Sequence, residues 1–258
     1  MQKYSLRQIK DSYAQKREWE KQFPTTYYFL RPLSFYVTYL VMKITDEPEH
    51  IVWLGFLEGV IVWLCFLLVG RIPIWSGIVL LYCFSLLDGV DGNVARTSKK
   101  VTYYGKYLDG VVGEIIEASY PFFLSLGLYF TATPGLFFFK FLECDKFFLI
   151  IIGALILCGR LFSNIFSNNY YLNFMRHDKK DNNQENIYDD FETSPRKKYW
   201  WYLIFINLHF LTVQIFLLAL SAILGAIDIF LLFFASYYFL RMCLSFVFFT
   251  HKARKNLK

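Results

Sequence analysis

The sequence predicts an all-α, polytopic membrane protein built as a bundle of six transmembrane helices. Hydrophobic residues make up 56% of the 258-residue chain, which includes 29 Phe and 19 Tyr. A soluble domain of this length does not need so many apolar side chains to fill its core. The apolar residues also form runs that approach the roughly 20 residues needed to cross a bilayer. The six predicted spans are 51–69, 73–87, 107–130, 147–166, 200–224 and 227–249.

The first 46 residues are predicted to form cytoplasmic and interfacial amphipathic helices. Ser5 is a helix-capping residue, and the helix that it starts would end before Pro24. The apolar stretch that follows, 27–44, is interrupted by Arg31 and Ser34. These interruptions favour a helix that lies on the membrane surface over a seventh span.

The rest of the chain divides into a transmembrane domain, 47–250, and a short basic tail, 251–258, predicted to be cytoplasmic. Within the domain, the polar stretch 169–199 has the composition of a loop. The sequence therefore predicts one membrane domain with polar segments at both ends and one long polar connection.

The distribution of Lys and Arg predicts the orientation of the bundle. Outside the predicted spans, the side opposite the N-terminus carries only Arg71, Lys140 and Lys146. The other basic residues outside the spans lie on the N-terminal side, which the positive-inside rule assigns to the cytoplasm. Both termini and the candidate active site are therefore expected there. Anionic lipid accounts for the net charge of +6, so no nucleic-acid partner is expected.

Three carboxylates stand out because they occur in an otherwise apolar, membrane-like sequence. Asp88 and Asp91 are three residues apart, so they share one helix face, and Asp109 follows at the start of the third span. Charges are costly in such surroundings, and clustered carboxylates repel one another unless they bind cations. Their hard oxygen ligands suit Mg²⁺, Mn²⁺ or Ca²⁺. The pattern predicts a divalent-metal site at the cytoplasmic surface of the membrane.

The residues around these acids are suited to a phosphate ligand. Gly92 permits close approach to the backbone beside Asp91, and Gly105 leaves the surface clear one turn before Asp109. Ala95 is small, and Arg96 is a bidentate partner for phosphate oxygens. A metal-bound diphosphate is the expected ligand, since phosphoryl transfer needs mainly positioning and charge neutralisation.

This segment, DGVDGNVARTSKKVTYYGKYLD from Asp88 to Asp109, resembles the signature of the CDP-alcohol phosphotransferases, also called CDP-alcohol phosphatidyltransferases. Their pattern is D-x-x-D-G-x-x-A-R, then eight residues, then G-x-x-x-D-x-x-x-D. The stretch that begins at Pro48 is similar to their usual P-N-x-x-T entry, with Glu49 and Val52 in place of the Asn and Thr. Six spans, with the motif between the second and third, also resemble this family.

The resemblance implies a membrane transferase of phospholipid or envelope-lipid synthesis. An alcohol attacks the β-phosphorus of a CDP-linked donor, a phosphodiester forms and CMP leaves. The lipid is either the donor or the acceptor, and members of the family are often homodimers. The implied site consists of one or two Mg²⁺ or Mn²⁺ ions on Asp88, Asp91 and Asp109, and a CDP site lined by Gly92, Ala95, Arg96 and Gly105.

One position departs from the family pattern, because Gly113 replaces the last aspartate. In the family that residue is a metal ligand and the proposed general base for the alcohol. Glu117 and Glu114 are the candidate replacements, and Glu117 is preferred because it lies only about 40° around the helix from position 113. Activation by the metal alone, or nucleotide binding without turnover, are the other possibilities.

Outside the motif, Arg160 lies within a predicted span and is a candidate for contact with the acceptor or a lipid phosphate. It could also extend towards the cytoplasm as a snorkelling side chain. Two other functions compete with the transferase. One is a non-catalytic relative that binds CDP compounds and metal. The other is a transporter or channel with an acidic ion site, which leaves the spacing of Gly, Ala and Arg unexplained.

Overall fold

The computed structural model describes residues 4–131, 145–182 and 200–256, and its regular elements in these ranges are helical. This confirms the predicted all-α class. A π-helical turn, Thr26–Leu30, precedes the third helix. The α-helices are α1 (Leu6–Ser12), α2 (Ala14–Glu20), α3 (Arg31–Val41), α4 (Pro48–Leu67), α5 (Ile74–Ser98), α6 (Tyr103–Phe130), α7 (Phe147–Asn182), α8 (Trp200–His209), α9 (Leu211–Ile223) and α10 (Ile227–Asn256).

The chain begins with two short helices rather than the single predicted one. The Ser5 side chain accepts a hydrogen bond from the Gln8 N–H at 3.3 Å, and the Gln8 Oε1 accepts one from the Ser5 N–H at 2.8 Å. This capping box satisfies two N–H groups at the start of α1. The helix then breaks at Tyr13, whose side chain turns inward and is buried.

Within the described ranges, five helices are long and apolar enough to span a membrane: α4, α5, α6, α7 through Phe174, and α10. Local residues mark their ends. Pro48 occupies the first turn of α4, where its missing N–H is harmless. Lys99 ends α5 in the left-handed conformation at φ 57°, and the Thr102 hydroxyl caps α6 by accepting from the Gly105 N–H at 2.9 Å.

The fifth predicted span, 200–224, is not one helix, so the count of six is not confirmed. The chain becomes extended at Phe210, with ψ 132°, and this break separates α8 from α9. Gln214 satisfies carbonyls at the broken end of α8, because its Nε2 donates to the oxygens of Leu208 at 3.2 Å and His209 at 3.0 Å.

The loop predicted for 169–199 is wrong in its first part, since α7 continues to Asn182. Residues 183–199 lie outside the described ranges. The polar end of α7 is supported by α10. The Asn256 Nδ2 donates to the Tyr170 hydroxyl at 3.0 Å, and the Lys252 ammonium lies 4.8 Å from the centre of the Tyr170 ring.

The bundle core forms where α4, α5 and α6 pack together and where α7 packs on α6 and α10. Small residues set the closest helix contacts. A Cβ at Gly127 would meet the backbone oxygen of Phe66 at 2.0 Å, and one at Gly159 would meet backbone atoms of Tyr238 at 2.9 Å. Glycine is needed at both sites because membrane helices depend on close backbone packing for their association.

Helix α3 packs on α5 with its polar side inward. Arg31, Ser34 and Thr38 are buried, whereas Tyr36 and Leu40 on the outer side are 54% and 57% exposed. A helix with buried polar and exposed apolar residues is suited to lipid contact. The proposed interfacial position of the N-terminal segment stays a prediction.

Candidate active site

The three predicted metal-binding acids line one pocket between α5 and α6. Asp88 and Asp91 come from α5 and Asp109 from α6, while α4 contributes an apolar wall that includes Val52. The Asp109 carboxyl lies within hydrogen-bonding reach of both Asp88 and Asp91. The pocket is open on one side and has room for about one water-sized group among the acids. A nucleotide would have to lie at its mouth.

The three acids differ in exposure and orientation. Asp91 is 5% exposed, and its Oδ1 accepts a hydrogen bond from the Gly92 N–H. Asp88 is exposed, and Asp109 is half-buried. Among the described residues, no three His, Cys, Asp or Glu side chains are already arranged around a metal position. The acids therefore converge on one pocket without forming a completed coordination site.

Arg96 lies on α5 beside Gly92. A Cβ at Gly92 would be 3.2 Å from the Arg96 Nη1, so the glycine leaves room for the guanidinium. The Arg96 Nη2 donates to the Asn93 Oδ1 at 2.9 Å, and its Nε is buried without a hydrogen-bond partner in the described ranges. A cationic group with an unused donor is a reasonable anion ligand.

The other two predicted nucleotide residues lie at helix ends. Ala95 is half-buried, and its carbonyl accepts from the Lys100 N–H at 2.9 Å where α5 ends. Gly105 lies in the first turn of α6, where its N–H is used by the Thr102 cap. Both residues therefore shape the connection between the two helices that carry the acids.

Two of the three departures from the family pattern, Val52 and Gly113, line the pocket. Gly113 lines it, and a Cβ built there would lie 4.0 Å from the Asp88 Oδ1. Val52 lines the same pocket from α4. The pocket wall is therefore less polar than the family pattern implies at two positions.

The proposed base candidates are paired with Arg160. This α7 residue is 3% exposed, and it forms ion pairs with Glu117 and, at 3.3 Å, with Glu114. Its Nη1 also donates to the Tyr238 hydroxyl at 3.1 Å. Arg160 therefore points inward instead of snorkelling, and its charge is offset by two carboxylates of α6.

A buried chain of hydrogen bonds continues from Arg160 across the bundle. The Gln214 Nε2 donates to the Tyr238 hydroxyl at 2.8 Å, and the Gln214 Oε1 accepts from the Tyr120 hydroxyl at 2.8 Å. These bonds join α6, α7, α9 and α10, and the same Gln214 caps the broken end of α8. The helix break and the polar interior therefore depend on the same side chain.

Two residues that contact this region, Arg31 and Asn93, are not predicted from the sequence. Arg31 interrupts an apolar stretch, and Asn93 occupies a variable position of the motif, so neither stands out as a functional residue. Arg31, Ser34 and Thr38 are spaced i, i+3 and i+7, which places them on one helix face. That spacing is the signal for a buried polar face.

Comparison with known proteins provides one match. The family model described as CDP-alcohol phosphatidyltransferase matches residues 48–169. The match covers somewhat less than half of the chain. The predicted resemblance is therefore confirmed. No curated protein and no solved structure matches the chain.

The match to the CDP-alcohol phosphatidyltransferase family model supports a phosphotransferase role in phospholipid synthesis, with a CDP-alcohol donor and an alcohol acceptor. The family is generally dependent on divalent metals. The apolar helices indicate an integral membrane protein. The findings give no support for a homodimer.

Proposed function

We propose that the protein transfers a substituted phosphate group from a CDP-linked donor to an alcohol acceptor and releases CMP. The observation that carries this proposal is the convergence of Asp88, Asp91 and Asp109 on one pocket, in a segment that matches the family model. Arg96 beside the pocket supplies a cation for the diphosphate. The acceptor would be a lipid or a soluble alcohol.

The acids fit a divalent ion such as Mg²⁺ or Mn²⁺. Three carboxylates that line one pocket offer hard oxygen ligands, and their repulsion favours a cation among them. Asp88, Asp91 and Asp109 would hold it. When bound, the ion neutralises negative charge on the diphosphate and on the departing CMP.

The residues of the chain have separate tasks in this proposal. Arg96 binds a phosphate oxygen and orients the donor. The acceptor oxygen forms a bond to the β-phosphorus, and the bond from that phosphorus to the bridging oxygen breaks, so its electron pair leaves with CMP. The acceptor proton goes to a carboxylate or to water. Glu117 and Glu114 are the nearby candidates, and Arg160 holds both in place.

One specific observation favours a second candidate, a family member that binds a CDP compound without turning it over. Position 113 lacks a carboxylate, and the two replacement candidates are ion-paired with Arg160. An ion-paired carboxylate is a weaker proton acceptor than a free one. This candidate predicts metal-dependent CDP binding without CMP release.

The deciding experiment measures CMP release by the purified full-length protein with Mg²⁺ or Mn²⁺. The donors are a panel of CDP-alcohols and CDP-diacylglycerol, tested with soluble alcohols and with a membrane lipid extract. We expect release that requires metal and falls about a hundredfold in Asp91→Asn, because one charged ligand is lost. Metal-dependent CDP binding without release would select the second candidate, and neither binding nor release would overturn both.

A further inference from the structure

The polar face of α3 is packed against the helix that carries the DGxxAR motif. The Arg31 Nη1 lies 3.4 Å from the Gly89 carbonyl oxygen and 3.4 Å from the Asn93 Oδ1. The Asn93 Nδ2 donates to the hydroxyls of Ser34 at 3.1 Å and Thr38 at 3.2 Å. The side chain of Asn93 is fully buried, so both ends of its amide are used within the protein.

Asn93 connects this face to Arg96. Its Oδ1 accepts from Arg96 Nη2 at 2.9 Å as well as from Arg31, so two guanidinium groups share one neutral acceptor. The bond fixes one side of the Arg96 fork. The Arg96 Nε remains buried without a partner within the described ranges, and a buried donor of this kind is costly unless a ligand satisfies it.

The charge of Arg31 is offset separately. Glu20 is 2% exposed and forms an ion pair with Arg31, whose Nε donates to the Glu20 Oε2 at 2.8 Å. The Tyr13 hydroxyl also donates to Glu20. Burial and this hydrogen bond raise the pKa of the Tyr13 phenol, so it stays protonated as a donor. With Arg31 neutralised by Glu20, the positive charge of Arg96 is left for a ligand.

The N-terminal segment reaches the candidate site at a second point. Lys16 of α2 lies within electrostatic range of Asp88 and Asp109. The Ser12 hydroxyl at the end of α1 is 3.1 Å from the Thr97 hydroxyl of α5. Helices α1 to α3 thus contact the motif helix on the side where Arg96 projects, although the family match begins at residue 48.

We infer that Asn93 and Arg31 are positioning residues that hold the Arg96 guanidinium ready for the anionic part of a nucleoside diphosphate. This inference rests on the proposed function and adds to it the N-terminal segment. Glu20 keeps Arg31 in place, Arg31 and the hydroxyls of α3 keep Asn93 in place, and Asn93 orients Arg96. Arg96 touches the ligand, and the other residues act through it.

Two substitutions of Asn93 separate positioning from plain structural support. Asn93→Ala removes the acceptor for Arg96, and we expect CDP affinity to fall about three- to tenfold because Arg96 must then be ordered on binding. Asn93→Asp keeps an acceptor for Arg96 but removes the Nδ2 donor, and the Ser34 and Thr38 hydroxyls must give up their bonds to α3 carbonyls in order to donate to it. The negative charge of the new carboxylate pairs with Arg96, so we expect CDP affinity to fall about tenfold or more.

The probe is CDP with Mn²⁺, titrated calorimetrically into the full-length protein in detergent, with melting temperature measured in parallel. Asn256→Ala is the matched control. It removes the hydrogen bond from a side-chain amide to the Tyr170 hydroxyl near the C-terminal end of α10 and should leave CDP affinity unchanged. A folded Asn93→Asp protein with weakened CDP binding supports the inference. A purely structural Asn93 would lower the melting temperature and leave affinity intact.

The two proposals fail in different ways. Wild-type affinity in both Asn93 variants overturns the positioning role and leaves the proposed function standing, provided that Asp91→Asn abolishes binding. A folded wild-type protein that does not bind CDP with Mn²⁺ overturns the proposed function and this inference together.

Discussion

Gly113 leaves an open position directly opposite the Asp88 carboxylate. A Cβ added at Gly113 would have the Asp88 Oδ1, at 4.0 Å, as its nearest described neighbour outside its own stretch of helix. The position is inside α6, where glycine costs up to about 1 kcal/mol relative to alanine. The absence of a side chain is therefore not forced by packing, and the lost carboxylate can be restored.

We expect Gly113→Asp to create a tighter metal site. Without metal, a fourth carboxylate near Asp88 should lower the melting temperature through repulsion. With Mn²⁺, affinity should rise about tenfold or more because another charged ligand is added, and the melting temperature should rise further than in the wild type. Calorimetric titration and thermal melts with and without Mn²⁺ measure both effects.

Gly113→Ala is the control for this change. It should stabilise α6 by up to about 1 kcal/mol and leave the Mn²⁺ affinity unaltered. Equal Mn²⁺ affinity in the Asp and Ala variants would show that position 113 does not reach the metal.

The acids line one pocket as the sequence indicated, because their placement is set by local geometry, and their metal-binding role stays a prediction. Asp88 and Asp91 share a face of one helix, and a short turn brings Asp109 beside them. The Arg31–Asn93 contact was not predictable in this way, since it depends on how α3 docks on α5. The pairing of Arg160 with Glu114 and Glu117 also depends on packing between α6 and α7, which spacing along the chain does not encode.

The helices of the bundle are held together at points where glycine permits backbone contact. The prediction at this scale concerns Gly127 of α6. A Cβ added there would lie 2.0 Å from the carbonyl oxygen of Phe66 and 3.0 Å from that of Leu67. Backbone atoms cannot rotate away as a side chain can, so the helices must move apart.

We expect Gly127→Ala to destabilise the bundle by about 1–3 kcal/mol, the usual penalty for overpacking. Gly110→Ala in the same helix is the matched control, because nothing lies within 4 Å of its added Cβ. Thermal unfolding of both variants in detergent measures the difference. Equal stability of the two proteins would contradict the close contact between α4 and α6.

The predictable part of the helices is also local. Pro48 and the apolar run after it marked α4, and α6 ends at Phe130 as predicted. The break at Phe210 has no such marker, because neither Pro nor Gly occurs there. It is stabilised by Gln214, which contacts Tyr120 and Tyr238 from other helices. A side chain that depends on tertiary partners cannot be recognised from the apolar pattern around it.

At the scale of the whole molecule, the direction of the helices bears on the number of membrane crossings. Positions along α7 and α10 advance together, because Arg160 contacts Tyr238 and, further along both helices, Tyr170 contacts Lys252 and Asn256. The two helices therefore run parallel, and the chain between them must return across the bundle. The broken pair α8 and α9 has 10 and 13 residues, which is long enough for that return at 1.5 Å per residue.

We therefore predict that α8 and α9 together cross the membrane once and that both termini are cytoplasmic. A green fluorescent protein fused after Lys258 should fluoresce in a bacterial host, and alkaline phosphatase inserted between Gly70 and Arg71 should be active. The opposite result, with green fluorescent protein fluorescent only between Gly70 and Arg71 and alkaline phosphatase active only after Lys258, would show the inverted orientation. Alkaline phosphatase that is active at the C-terminus as well as at Gly70 would mean that the pair does not cross.

The inward polar face of α3 has a consequence for the boundaries of the folding unit. Residues 48–169 are the part that matches the family model, but their contacts extend beyond both ends of that segment. Cut out alone, they would leave Asn93 exposed to lipid or detergent at one end and separate Arg160 from Tyr238 at the other. The segment that matches the family model therefore needs the N-terminal helices and α10 for its stability. We expect that shortened versions of the protein must retain everything from Ser5 through α10 in order to fold.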